Sequence, residues 1–193
     1  MNEHELKFRL DRAGYDACMK ALSGRSGECG TECLMINYYY DTPGRLLHKE
    51  GVTLRIRQIG EKLQGQVKRH DKGKSADSRE EYFEVGELPS AIRFEGRKAK
   101  MLGALVNKRT VFKADGLEFD LDAVSYLGNS DYELEIEFQA GKEAEALKAA
   151  EALGVDFLPK RGGKFSRFLK ALARIEEGSI LIPGEVNAEA EEL

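Results

Sequence analysis

Along most of the chain, charged and apolar residues alternate with a period of two, the spacing of β-strands whose two faces differ. Residues 2–10 set Glu3, Glu5, Lys7 and Arg9 against the mostly apolar Leu6, Phe8 and Leu10. Further strands are predicted over 34–40, ended by the turn Asp41-Thr42-Pro43-Gly44, over 52–59 and 62–69 around Gly60-Glu61, and over 80–85. A hairpin is predicted over 108–114 and 117–124, because Asp115-Gly116 suits a tight two-residue turn. A last strand covers 132–139. Helical spacing predicts helices over 13–23, with Tyr15, Cys18, Met19 and Leu22 on one face, over 142–153, ended by Gly154, and over 164–175. Residues 24–30 read as a glycine-rich loop, 69–79 as a mobile charged loop, and 89–106 as partly helical. The acidic segment 177–193 reads as a poorly ordered tail. Sequential strands without a repeat or strand–helix–strand alternation predict an α+β fold with a mainly antiparallel sheet.

The charges fall on one face of each strand, since residues i and i+2 point the same way. That face carries Arg55 and Arg57, then Gln64, Gln66 and Lys68, then Arg109. It continues with Glu118, Asp120 and Asp122, then Glu133, Glu135 and Glu137. A solvated outer face is the ordinary meaning of such alternation. Carboxylates three to a strand repel one another, however, and the cations on these faces are more often Arg than Lys. One charged face on every strand is the pattern of a barrel with a polar interior. Carboxylates there would hold a divalent cation such as Mg²⁺ or Mn²⁺, and Arg and Lys would hold phosphate oxygens. Together they suit a metal–polyphosphate complex.

Composition narrows the alternatives. With 193 residues, 41% hydrophobic and 33% charged, the chain can bury one sizeable core. A net charge of −4 argues against a nucleic-acid partner. No stretch reaches the roughly 18 consecutive apolar residues of a membrane span. The polar start Met1-Asn2-Glu3-His4-Glu5 is unlike a signal peptide, and three cysteines fit a reducing compartment, so a cytoplasmic protein is expected. Cys29 and Cys33 with His48 fit zinc spacings poorly and read as ordinary thiols. Asp71-Lys72-Gly73-Lys74-Ser75 lacks the first glycine of a phosphate-binding loop. His4, His48 and His70 support no Ser-His-Asp arrangement; His4 lies on the apolar parity of its strand. Tyr38, Tyr39 and Tyr40 read as packing residues rather than a base-stacking platform.

The first strand also carries a motif. Glu3-His4-Glu5-Leu6-Lys7 resembles the Glu-x-Glu-x-Lys signature of the CYTH domain, the triphosphate tunnel metalloenzyme superfamily. Arg55-Ile56-Arg57, Lys68, Arg109, Asp120 with Asp122, Glu133 through Glu137, and Lys164 with Arg167 follow in the family's order. The wording of 37–43 and 121–127 is similar to the small bacterial branch. The resemblance implies an eight-stranded antiparallel closed β-barrel with flanking helices over 1–176, followed by the acidic tail. It implies metal-dependent hydrolysis of tripolyphosphate or of a nucleoside or thiamine triphosphate. In that reading Glu3, Glu5 and Glu135 hold Mg²⁺ or Mn²⁺, and Lys7, Arg55, Arg57, Lys68, Arg109, Lys164 and Arg167 clamp phosphates. Asp120, Asp122, Glu133 or Glu137 orients the attacking water. An adenylate cyclase and a non-catalytic polyphosphate or nucleotide binder are the rivals; Thr53-Leu54, where cyclase-like members tend to carry His-Phe, departs from the first of these. Oligomeric state stays open, a homodimer included.

Overall fold

The computed structural model describes residues 4–26, 30–70, 78–159 and 162–178. Among the described residues, nine strands form one antiparallel sheet: β1 (His4–Leu10), β2 (Thr31–Asp41), β3 (Val52–Ile59), β4 (Lys62–His70), β5 (Ser78–Glu84), β6 (Ala91–Phe94), β7 (Arg97–Ala114), β8 (Leu117–Tyr126) and β9 (Asn129–Phe138). The helices are α1 (Arg12–Ser26), the single-turn α2 (Leu46–Lys49), α3 (Glu143–Glu151) and α4 (Lys164–Gly178). Strand order is β1-β9-β8-β7-β2-β3-β4-β5, with β6 paired on β7. The fold is therefore the expected antiparallel α+β.

One expectation is met in part and one is corrected. Among the described residues the sheet is not closed by hydrogen bonds, with β1 and β5 at its two ends, so the antiparallel sheet is present without a hydrogen-bonded barrel closure. The outer edge of β1 is taken up at Arg9, whose carbonyl accepts from the Leu158 N–H at 2.8 Å. The span 89–106, expected to be partly helical, instead forms β6 and the first half of β7, turned at Glu95-Gly96, both at positive φ. The reason is a bulge. Tyr39 pairs with Gly103 but Tyr40 with Met101, so Leu102 is an extra residue and the alternation slips by one within β7. That slip hides the period of two. The Asp115-Gly116 turn is present, with both residues at positive φ. Residues 71–77 of the expected loop, and the acidic tail from 179, lie outside the described residues.

The sheet's apolar face makes two cores. Under β1, β7, β8 and β9, Phe112, Phe119, Leu121, Leu134 and Ile136 pack with Tyr15, Cys18 and Leu22 of α1 and Ala146 and Ala150 of α3. Under β2 to β4, Tyr40, Leu54, Ile56 and Val67 pack with Leu47 of α2 and Ala99. On the polar face a third cluster forms, where Phe165, Phe168 and Ala171 of α4 cover Tyr39, Leu105, Val124 and Tyr126. The tyrosines at 39 and 40 are thus packing residues, and His4 stacks on Phe138 at 5.9 Å. Among the described residues, no helix is long and apolar enough to cross a membrane.

Candidate active site

Strand register brings the charged residues of distant segments into rows. Glu5 lies opposite Glu137, which lies opposite Glu118. Lys7 lies opposite Glu135, and Glu135 opposite Asp120. The third row runs Arg9, Glu133, Asp122, Arg109. Asp120, Asp122, Glu133 and Glu135 are all buried. Four buried carboxylates are costly unless cations neutralise them.

Three cations do so. Arg109 donates two bonds to Asp122, at 2.7 and 2.8 Å, one to Glu135 at 2.8 Å, and one to Asp120 Oδ2. Lys164 Nζ lies 2.9 Å from Asp122 Oδ2, 2.8 Å from Glu133 Oε2 and 2.7 Å from Glu135 Oε1. Arg167 pairs with Glu133 at 2.7 Å and Asp131 at 2.8 Å, and donates to the Gly162 carbonyl at 2.7 Å. Lys7 joins at the edge, 3.1 Å from Glu135 and 2.9 Å from Glu5. Burial by itself would raise the Glu135 pKa, but Lys164, Lys7 and Arg109 outweigh it and hold the group far below the carboxylate range. Burial would lower Lys164, and Glu135, Asp122 and Glu133 overcome it, so this ammonium stays charged.

Helix α4 positions two of these cations. Its first turn follows Gly162-Gly163, and Lys164 and Arg167, three apart, share the side that meets β8 and β9. Phe165 stacks on Tyr39 at 4.5 Å and anchors the helix. Tyr126 donates to Asp131 at 2.6 Å and so orients the carboxylate that receives Arg167.

One carboxylate is left incomplete. Asp120 is 1% exposed, and its Oδ1 has no hydrogen-bond partner. Burial pushes its pKa up to about 7 against the opposing pull of Arg109, and the like charges of Glu137, Asp122 and Glu118 push it in the same direction as burial. Oxygens of Glu118, Asp120 and Glu137 lie within 4.8 Å of one another, as do those of Asp122, Glu133 and Glu135. A buried oxygen without a partner, in an all-carboxylate set, fits a hard divalent cation such as Mg²⁺ or Mn²⁺. Among the described residues, both candidate metal groups are all carboxylate, with no cysteine or histidine.

The other half of the polar face is basic. Arg57 donates to Asn37 at 3.2 Å, and Arg55 to Gln66 at 2.6 Å. Gln66 passes the contact on to Glu80 at 2.6 Å, and Lys68 pairs with Glu80 at 3.0 Å. Burial, reinforced by Arg55 and Arg109, lowers the Arg57 pKa to about 10. Among the described residues, neither Arg55 nor Arg57 forms an ion pair with a carboxylate.

The sequence expectations divide accordingly. Lys7, Arg109, Asp120, Asp122, Glu133, Glu135, Lys164 and Arg167 come together in one network. Arg109, Lys164 and Arg167, expected to clamp phosphate, each have carboxylate partners in this network. Glu5 is exposed and pairs with Lys7, and Glu3 lies outside the described residues. Glu118 was left out of the expected site although it shares parity with Asp120. Gln66 shares the polar parity of Lys68 but was not named for the site, and Asn37 and Asp131 had no signal, because nothing in their own strands marks them.

The CYTH domain matches residues 1–167. No curated protein matches in sequence. Among solved structures, a Hippeastrum protein described as a candidate adenylyl cyclase with a dominant triphosphatase activity superposes with a TM-score of 0.69 at 20% identity. That match covers 88% of this chain and 96% of the other. A candidate adenylate cyclase from Bacillus halodurans gives 0.65 at 20% identity, over 87% and 99% of the two chains. A Pyrococcus horikoshii protein gives 0.56 at 22% identity, over 90% and 99%. At such identities the structures speak for the fold, and the domain match speaks for the family: the chain belongs to the CYTH-domain family, whose triphosphatases and cyclases share this sheet.

Proposed function

We propose that the protein is a metal-dependent triphosphatase, acting on inorganic tripolyphosphate or on a nucleoside or thiamine triphosphate. One observation carries this reading: the polar face has unmet charge of both signs. Asp120 Oδ1 is buried without a partner, and Arg55 and Arg57 face the same side without a carboxylate. A metal–triphosphate complex supplies both complements.

Glu118, Asp120 and Glu137 would hold Mg²⁺ or Mn²⁺, with Glu5 in the adjoining register position. When bound, the ion offsets charge on the phosphate oxygens. Arg55 and Arg57 bind the phosphates through charge-assisted hydrogen bonds, and Gln66 and Asn37 fix the direction of their guanidinium groups. Lys68 and Lys7 extend the cationic lining at its two edges. Asp122 and Glu133 orient Arg109, Lys164 and Arg167. Such positioning and charge neutralisation is most of what phosphoryl transfer asks of a protein.

The test is a phosphate-release screen of tripolyphosphate, ATP and thiamine triphosphate, each with Mg²⁺, Mn²⁺ or chelator. Metal-dependent release from at least one substrate is expected. Cyclic AMP formed from ATP without phosphate release, or tight binding of all three without turnover, would overturn the proposal.

A further inference from the structure

The two carboxylate groups are neighbours, yet they are treated differently. The Glu118–Asp120–Glu137 group holds an oxygen with no partner. In the Asp122–Glu133–Glu135 group the centre is already filled. Lys164 Nζ contacts one oxygen of each member, at 2.9, 2.8 and 2.7 Å. An ammonium has three hydrogens, and three carboxylates surround this one within ion-pair distance.

The ammonium is also held in place by contacts other than its own. Phe165 and Phe168 pack on Tyr39, and Phe168 on Tyr126. Arg167 is 6% exposed and clamped by Asp131, Glu133 and the Gly162 carbonyl. At the far end of α4, Glu176 accepts from Arg45 at 2.7 Å. The helix that carries Lys164 is thus pinned at both ends, and three carboxylates hold its ammonium between them. A divalent ion entering beside it would meet both the ammonium and the Arg109 guanidinium, which lies 2.8 Å from the same Glu135.

We infer that Lys164 is a built-in cation that closes the Asp122–Glu133–Glu135 group to metal, so that the protein holds a single divalent ion, and that removing this ammonium opens a second metal site. The count of one rests on the reading of Glu118, Asp120 and Glu137 given above; the closure by Lys164 does not. The fixed charge serves the acidic half of the site at any metal concentration, so occupancy follows one binding equilibrium instead of two.

Equilibrium dialysis against Mn²⁺ without substrate tests this. Wild type should hold one ion per chain, and Lys164→Gln two. Adding Asp122→Asn to Lys164→Gln should return the count to one, which locates the new ion. Two ions on wild type, or no gain in Lys164→Gln, overturns the inference. No ion on wild type but one on Lys164→Gln would sink the first-group reading and leave the Lys164 inference standing. Lys164→Gln leaves three buried carboxylates facing one another, so it is also refolded in Mn²⁺. Folding with two ions bound supports the inference; folding with one, or failure to fold in Mn²⁺, overturns it.

Discussion

Arg57 and Arg109 are both arginines on the polar face, and their surroundings give them opposite roles. Arg109 is surrounded by Asp120, Asp122 and Glu135, and its charge is consumed within the protein. Arg57 is bonded to a neutral amide, and burial with two nearby arginines lowers its pKa to about 10. A half-buried cation with no ion-pair partner among the described residues is suited to receive an anion from outside. Arg57→Ala should therefore weaken tripolyphosphate binding by about 10- to 100-fold, the value of a charge-assisted bond of about 1.5–3 kcal/mol. Calorimetric titration with a Mn²⁺ count beside it checks this. Unchanged tripolyphosphate affinity would remove Arg57 from the site.

At the scale of elements, the basic half depends on the β4–β5 edge. Gln66, which orients Arg55, is flanked on β4 by Gly65, and Gly65 lies opposite Phe83 of β5. A Cβ at Gly65 would fall 2.1 Å from the Phe83 ring, so the ring occupies the space a side chain would need. Gly65→Ala should destabilise the fold by about 1–3 kcal/mol through overpacking. A lowered denaturant midpoint, with Gly65→Ala/Phe83→Leu closer to wild type, is the expected result. An unchanged midpoint in the single variant would show that the strand edge absorbs the methyl. Helix α4 has the corresponding task in the acidic half. It buries Phe165 and Phe168 and delivers Lys164 and Arg167 in the same turn and a half, so packing and charge are fixed by one element.

Across the whole molecule, the unmet carboxylate should make stability depend on pH, and on metal if the proposed ion binds there. Asp120 has its folded pKa raised to about 7 from the ordinary value of 3.8. Below the ordinary value, folded and unfolded chains both keep the proton and this group costs nothing. As pH rises toward about 7 the unfolded chain ionises freely while the folded one resists, so the metal-free protein loses stability across that interval. Asp120→Asn should remove the loss. Thermal melts in chelator from pH 4 to 8 should show the wild type falling relative to Asp120→Asn, and Mn²⁺ should restore the wild type alone. A pH-independent difference between the two would refute this account.

Much of this was legible in the sequence. The period of two and the Asp115-Gly116 turn determined the strands and most of their boundaries, because side-chain direction on a strand is local geometry. The same parity assigned Arg55, Arg57, Asp120, Asp122, Glu133 and Glu135 to one face before any pairing was known. Where a bulge broke the alternation, at Leu102, the local signal failed and a strand read as helix. Which charges neutralise one another was decided only by tertiary structure. Lys7 meets Glu135 across 128 positions of sequence, and Lys164 meets Glu135 from a helix 29 residues on. Such pairings are set by register between strands and by where α4 docks, neither of which leaves a mark in the spacing of a single strand. The sequence marked the charged face; the fold paired Arg109, Lys164 and Arg167 with its carboxylates and, among the described residues, left the buried Asp120 Oδ1 without a partner and Arg55 and Arg57 without an ion pair.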